Sequence, residues 1–223
     1  MIQTEAETIF FSIWDRQKER VLNETDFLEH FRRTNALLEG HFVLSSGLHS
    51  TGYLQCAKAL QQPADAAEFG AAIAGHFTGQ EIETVVSPAI GGLIIGYEVA
   101  KHLGARFIWT EREAGEMTAR RGFTIEPDEK ILVVEDVITT GGSTRECIAA
   151  VEKLGAKVFS AASIIDRSGG EADVGVPRIA LANFNIPAFE PETCELCARG
   201  DIAIKPGSRA INVVSGNKEG MAK

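Results

Sequence analysis

The sequence predicts an α/β fold with a mostly parallel central sheet flanked by helices. Short apolar runs alternate with helix-like segments through the middle of the chain, as in βαβ units. Residues 131–134 are four apolar residues in a row, which favours a strand buried on both faces. Residues 101–106 and 152–157 repeat one pattern, in which a helix stops at Leu-Gly before the next strand begins.

The first predicted unit begins with a strand over residues 84–86. A turn over residues 87–92, rich in Gly and Pro, leads into a helix that runs to Leu103 and stops at Gly104. Residues 106–109 form the next predicted strand. The polar segment over residues 110–123 is long for such a connection and carries Arg side chains, which predicts a mobile lid.

The second predicted unit is the strand over residues 131–134, a helix over residues 144–154 and a strand over residues 157–165. The flanks differ from this pattern. Residues 40–56 have the pattern of a hairpin with a Ser-Gly turn, and residues 183–211 are rich in Pro and short apolar runs.

We therefore expect residues 1–223 to form a single domain. Its core would span about residues 60–182, and a small hood would come from about residues 26–56 and 183–211. The last eight residues are expected to fray.

Composition limits the possible partners. The net charge of −9 argues against binding to nucleic acid, so any phosphate site must be local. No segment approaches the roughly 18 apolar residues of a membrane span. The N-terminus places acids before a short apolar cluster, unlike a signal peptide, so we expect an amphipathic helix packing Phe10, Ile13 and Trp14, and a cytoplasmic protein.

The most informative stretch is residues 131–143, where the apolar run ends in Glu135 and Asp136. Two hydroxyl residues and a Gly pair follow, and then a predicted helix. Either Ser143 or Thr144 would be the N-cap of this helix. The free N–H groups at a helix start suit a phosphate. Because carboxylates repel phosphate but accept hydrogen bonds from vicinal hydroxyls, the pattern predicts a site for a phosphorylated sugar.

Other phosphate motifs do not fit this stretch. A P-loop needs Gly-Lys-Ser/Thr, and this loop has no Lys. A dinucleotide fingerprint needs G-x-G-x-x-G after its strand, and residues 139–143 do not supply it. The remaining alternative is an ordinary strand-to-helix turn with two solvated acids.

This stretch resembles the 5-phosphoribosyl-1-diphosphate (PRPP) signature of the type I phosphoribosyltransferases, and residues 26–209 resemble the orotate branch of that family. The resemblance implies the type I phosphoribosyltransferase fold, Mg²⁺, a homodimer, and transfer of phosphoribose from PRPP to orotate in pyrimidine synthesis. It also implies that PRPP binds to Glu135, Asp136, Val137, Ile138, Thr139, Thr140, Gly141, Gly142 and Ser143.

The same resemblance gives roles to single residues. Asp136 and Arg112 would be catalytic, with Arg112 matching the first Arg of the family's lid. Arg167 matches the family's orotate-binding Arg, and a guanidinium can hold the carboxylate of orotate in bidentate fashion. Thr139 matches a Thr of the family that contacts orotate. A surface ion pair with Asp166 or Glu171 is the alternative for Arg167.

Some positions depart from the family pattern. Ser45 stands where many members carry Lys, and the lid has neither Lys nor His. The roles of Arg120 and Arg121 stay open. Two rival functions also stay open, namely transfer to a purine or uracil, and PRPP sensing without catalysis.

The four cysteines include a lone C-x-x-C, Cys194 and Cys197. A structural zinc needs four ligands, and the sequence shows no second pair near this one. We therefore predict no metal-ligating residues, and reduced, partly buried thiols at these two positions.

Overall fold

A computed structural model describes residues 24–44 and 46–206 of the chain. Within these residues the strands form one sheet of six and one of three. The large sheet contains β3 (Thr84–Pro88), β4 (Arg106–Glu113), β5 (Glu116–Ala119), β6 (Lys130–Ile138), β7 (Lys157–Asp166) and β8 (Arg178–Asn183). The small sheet contains β1 (Leu37–Val43), β2 (His49–Leu54) and β9 (Ala188–Phe189). The helices are α1 (Glu24–Arg33), α2 (Cys56–Ala59), α3 (Pro63–Gly75), α4 (Gly92–Leu103), α5 (Gly142–Glu152) and α6 (Glu195–Ala198), with a short 3₁₀ turn at Pro191–Thr193.

The large sheet has the order β5-β4-β3-β6-β7-β8, and β5 alone of its described strands is antiparallel to its neighbour. Its two faces carry separate apolar cores. Leu132 and Val134 pack with α3 and α4, whereas Ile131 and Val133 pack with α5. Consecutive residues of one strand are thus buried on opposite faces, which confirms the predicted parallel sheet between two layers of helices.

The small sheet has the order β1-β2-β9 and joins the two flanks of the chain. Its β1–β2 pair confirms the predicted hairpin, with Ser46 and Gly47 in the connection. An isolated bridge between Phe42 and Ile204 adds a later segment to the same sheet. The predicted N-terminal helix, Ser45 and the end of the predicted hood lie outside the described residues.

Three predicted boundaries were wrong. Strand β6 continues to Ile138, so the acidic pair lies within the strand and not after it, because the ladder to β7 continues past it. Helix α5 begins at Gly142 and its N-cap is Gly141, so neither Ser143 nor Thr144 caps it.

The third wrong boundary is the end of the strand predicted over residues 106–109. Strand β4 extends to Glu113 and pairs with β5 in a hairpin that turns at Ala114 and Gly115, both with positive φ. The sequence gives only a weak signal for this hairpin, since Gly115 suits a positive φ but Ala114 does not.

Helices α3 and α4 approach closely at Gly70. A Cβ built there would lie 2.5 Å from Cβ of Glu98 and 2.9 Å from its backbone carbon. We expect Gly70→Ala to lower the free energy of unfolding by about 1–3 kcal/mol, since overpacking exceeds the gain in helix propensity. Gly75→Ala in the same helix meets nothing within 4 Å and should be neutral or stabilising. Urea denaturation of both variants tests this, and equal effects would contradict it.

No helix among the described residues is long and apolar enough to cross a membrane.

Candidate active site

A cleft of about 420 Å³ opens at the carboxyl ends of β3 and β6. Every residue predicted to bind PRPP, from Glu135 to Ser143, lines this cleft, together with Arg112. Pro88, the last residue of β3, and Ala89 and Gly91 of the turn that follows also line it. The topology explains the convergence, because the ends of neighbouring parallel strands meet at one edge of a sheet.

The acidic pair faces the start of α4. A Cβ at Gly91 would lie 2.7 Å from Oδ1 of Asp136, and one at Gly92 would lie 3.3 Å from Oε1 of Glu135. Both glycines are therefore needed for the turn to pass so close to the carboxylates. The backbone N–H of Val137 donates to Asp136 Oδ1 at 2.8 Å, and that of Asp136 donates to Glu135 Oε1 at 3.2 Å.

Burial and proximity raise both carboxyl pKa values. Burial first, and then the charge of Asp136, raises the pKa of Glu135 to about 9. Burial also raises the pKa of Asp136, against the hydrogen bonds that it receives. The ligand-free pair therefore holds a proton at neutral pH, and hydroxyl donors or a cation would favour its loss.

This shift predicts a pH dependence of stability. The folded-state pKa of Glu135 lies near 9, whereas an unfolded Glu titrates near 4.3. Between these values the folded state binds more protons, so the free energy of unfolding should fall as pH rises, by up to about 1.4 kcal/mol per pH unit. In Glu135→Gln this contribution is absent. Urea denaturation across that window should show wild type losing stability relative to the variant, and parallel curves would contradict the shift.

The loop after β6 forms a cradle at the start of α5. Gly141 has φ of 74°, and a Cβ there would lie 2.8 Å from a methyl carbon of Val174. Arg145 holds the loop by donating to the carbonyl oxygens of Thr140 at 2.9 Å and Asp173 at 2.5 Å. The free N–H groups at the start of α5 thus open into the cleft, where they suit a phosphate.

The β4–β5 hairpin borders the cleft with Arg112. This side chain donates to the carbonyl oxygen of Gly115 at 2.9 Å and pairs with Glu146 of α5. Both partners are about half exposed, so the pair is weak and easily exchanged for a ligand anion. Arg120 and Arg121, whose roles were open, pair with Glu113 at 3.2 Å and Glu111 at 2.8 Å within the hairpin itself.

Asp166 and Arg167 have different surroundings. Burial raises the pKa of Asp166, but hydrogen bonds from Ser168 and Arg178 outweigh it, and the net pKa lies below its ordinary value. The Arg178 contact measures 2.6 Å. The carboxylate of Asp166 is therefore already paired with Arg178. No ion pair of Arg167 occurs among residues 24–44 and 46–206. The surface-pair alternative for Arg167 therefore has no support in the described structure.

Arg167 lies beside the cleft, and no side chain of the described residues pairs with its charge. Its Nε is buried with no hydrogen-bond partner within the described part of the chain, and burial lowers the pKa of the guanidinium. Its backbone N–H donates at 2.8 Å to the carbonyl oxygen of Ile138, the residue before Thr139. The two residues predicted to bind orotate are thus brought together.

The buried thiol of Cys56 lies close enough to both Arg167 and the acidic pair for their charges to affect its pKa. Burial raises the pKa of its thiol well above the ordinary value, with contributions from Asp136 and, in the opposite sense, Arg167. The hood residue Tyr53 also lies close enough to influence the pKa of Arg167. Sequence spacing gave no signal for Cys56, because it lies far along the chain from both groups and reaches them only through the fold.

The C-x-x-C pair lies against two histidines of the hood. Ring nitrogens of His41 and His49 and sulfurs of Cys194 and Cys197 all fall within 4.8 Å of one another. Cys194 is buried, Cys197 is exposed, and neither is in a disulfide. The prediction that no second ligand pair accompanies the cysteines was wrong, because the fold brings up two His residues from about 150 positions away in the sequence.

Comparisons with known proteins agree with this geometry. The phosphoribosyl transferase domain family matches residues 57–181. An orotate phosphoribosyltransferase of Caldicellulosiruptor bescii is 52% identical over 188 residues, covering 84% of this chain and 99% of the relative. One of Thermotoga maritima is 49% identical, covering 82% and 98%. This chain belongs to the orotate phosphoribosyltransferase family.

Solved structures of orotate phosphoribosyltransferases share the fold. The enzyme of Aeropyrum pernix superposes with a TM-score of 0.57 at 26% identity, covering 70% of this chain and 92% of that one. The enzyme of Mycobacterium tuberculosis, solved with inorganic phosphate, gives 0.59 at 20% identity, covering 72% and 95%. The fold predicted from the motif is thereby confirmed.

Proposed function

We propose that this protein transfers the 5-phosphoribosyl group from PRPP to orotate, giving orotidine 5′-monophosphate and pyrophosphate, a step of pyrimidine nucleotide synthesis. Arg167 carries the proposal. It is a half-buried cation without a described anionic partner, next to a cradle for a phosphorylated sugar. Orotate supplies the carboxylate that such a guanidinium matches.

Different residues of the cleft bind the 5′-phosphate, the ribose and the pyrophosphate of PRPP. Hydroxyls and N–H groups of residues 139–143 hold the 5′-phosphate at the start of α5. Glu135 and Asp136 accept hydrogen bonds from the ribose hydroxyls. The turn containing Ala89 and Gly91 faces the pyrophosphate group on the other side of the cleft.

Breaking the C1–pyrophosphate bond leaves positive charge on the ribose and negative charge on the leaving group. The protein needs no covalent nucleophile for this reaction, and catalysis rests on positioning and electrostatics. Arg112 leaves Glu146 and neutralises the pyrophosphate, while the hairpin excludes water that would hydrolyse PRPP. Asp136 stabilises the ribose as its charge develops.

Mg²⁺ is the cofactor we propose. The donors fit it, since Glu135 and Asp136 are paired carboxylates, and hard oxygen ligands suit this ion. Burial raises the pKa of both carboxyl groups, and a bound cation would favour their ionised forms. When bound, Mg²⁺ would neutralise charge on the pyrophosphate.

A homodimer is the proposed assembly. Ile94 and Tyr97 of α4 are 48% and 57% exposed, and with Phe107 and Trp109 they form an apolar surface. A second copy would cover it. Ile94→Asp should then yield a monomer in sedimentation velocity, while Lys153→Asp, an exposed control at the end of α5, should not. A monomeric wild type would contradict the proposal.

The proposed enzyme acts on small molecules in the cytoplasm, away from nucleic acid and membranes. A net charge of −9 supports the exclusion of nucleic acid.

A panel of bases tests the function. Orotate, uracil, hypoxanthine and adenine are each incubated with PRPP, with and without Mg²⁺, and the nucleotide product is measured. We expect orotidine 5′-monophosphate from orotate alone, and only with Mg²⁺. Turnover of a purine or uracil instead would favour another phosphoribosyltransferase, and PRPP binding without turnover would favour a regulator.

A further inference from the structure

The hood holds four metal-ligating side chains that the phosphoribosyl transfer does not use. They are His41 on β1, His49 on β2, Cys194 just before α6, and Cys197 within it. The His41 Nε2 atom lies 2.8 Å from His49 Nδ1, 3.5 Å from Cys194 Sγ and 3.8 Å from Cys197 Sγ. Cys197 Sγ lies 3.2 Å from His49 Nδ1. The four donor atoms therefore converge on one point.

Two of these distances match the edges of a zinc tetrahedron, and the other two are shorter. Zinc bonds of about 2.3 Å to sulfur and about 2.0–2.1 Å to nitrogen place neighbouring ligand atoms roughly 3.3–3.8 Å apart. The distances from His41 Nε2 to the two sulfurs fall at this separation. The His–His distance is shorter and is compatible with a hydrogen bond between the two rings. One hydrogen bond, however, does not explain why both thiols lie against the same pair.

The orientation of His41 prepares one donor. Its Nδ1 lies 2.9 Å from the carbonyl oxygen of Asp201. A carbonyl only accepts, so Nδ1 carries a proton, and in the neutral form of the ring the lone pair of Nε2 is directed at the cluster. Such a contact to a backbone carbonyl is the usual outer support of a metal-binding histidine.

We propose that His41, His49, Cys194 and Cys197 bind one structural Zn²⁺. Two thiolates and two neutral imidazoles balance the charge of the ion, and the Cys-x₂-Cys spacing is typical of zinc sites. The donors are soft and intermediate, which argues against Mg²⁺ and Ca²⁺. Because the chain supplies all four ligands, no position is left open for a substrate, and the role is structural.

The position of the site indicates what the ion stabilises. β9 pairs with β2, and Ile204 exchanges backbone hydrogen bonds of 2.9 Å with His41 and Val43. Cys194 and Cys197 lie between these two attachments. The ion would thus fasten residues 188–204 to the β1–β2 hairpin, whose strand β2 also carries Tyr53.

The test measures metal directly. The full chain is prepared without a metal-binding tag or chelator in zinc-supplemented medium, kept reduced, and analysed by plasma mass spectrometry. About one Zn²⁺ per chain is expected. Cys197→Ser and His49→Ala should each lower this content at least about tenfold. His102→Ala, an exposed histidine on α4, is the matched control and should retain the ion.

Cobalt and thiol measurements separate the alternatives. Co²⁺ added to metal-free protein should give the visible bands of a tetrahedral ion and a thiolate charge-transfer band, both lost in Cys197→Ser. Since Cys197 is exposed, this variant should fold, which circular dichroism checks. Metal-free wild type with reactive thiols, a Cys194–Cys197 disulfide, or full zinc content in Cys197→Ser would each overturn the proposal. Because every readout is metal content or spectrum, a failed base assay would not affect it.

Discussion

Replacing Asp136 with Asn is expected to lower kcat/KM for PRPP by about 100-fold to 1,000-fold while the fold stays intact. Its carboxylate lies against Gly91 at the wall of the cleft, where a ribose hydroxyl would donate to it. An amide keeps the shape but loses the negative charge that stabilises the developing positive charge on the sugar. Asn can still accept one hydrogen bond, so binding of PRPP should weaken less than turnover.

Stability provides the internal check on Asp136→Asn. Burial raises the pKa of this carboxyl, so its ionised form opposes folding in the ligand-free protein. The neutral variant should therefore melt at the same temperature as wild type or higher. Glu152→Gln, an exposed change at the far end of α5, serves as the charge-removal control and should leave kinetics unchanged. Steady-state kinetics and thermal melts decide the matter: unchanged kcat/KM would refute the role of Asp136, and a large loss of stability would indicate a collapsed site.

The order of elements was predictable because the signals are local. The apolar run before Glu135 and the Leu-Gly stops after α4 and α5 are written in neighbouring residues, and they specify strands and helix ends directly. The edge of the sheet where ligands bind follows from the parallel order alone. For this reason the residues predicted to bind PRPP all line one cleft.

The errors concern features that depend on distant contacts. Strand β6 runs past the acidic pair because its end pairs with β7, and the residues next to the acidic pair in the sequence do not indicate that pairing. Asp166 forms an ion pair with Arg178 and not with its neighbour Arg167, and this choice of partner follows only from the fold. The His–Cys cluster joins both ends of the described chain, so the C-x-x-C pair is visible in the sequence but its two His partners give no signal there.

Replacing Arg167 with Ala should lower kcat/KM for orotate by at least about 100-fold, because a half-buried partner of a ligand carboxylate is lost. The dissociation constant for PRPP should change little, since no atom of Arg167 lines the cleft that holds it. This selectivity separates recognition of the base from general damage. Titration calorimetry with PRPP and kinetics with varied orotate measure the two effects, and equal losses for both substrates would point to a collapsed site.

Two further substitutions show whether charge or shape dominates at this position. Arg167→Lys retains a positive charge but not the planar fork, so it should recover only part of the lost efficiency with orotate. Arg121→Ala removes an exposed Arg that pairs with Glu111 in the hairpin, and it should leave the KM for orotate unchanged. The guanidinium Nε of Arg167 is buried without a partner in the described structure, so Ala also removes an unmet donor. Arg167→Ala should therefore be as stable as wild type or more stable without ligand, and a variant that is less stable and equally active would show that Arg167 serves the fold and not the base.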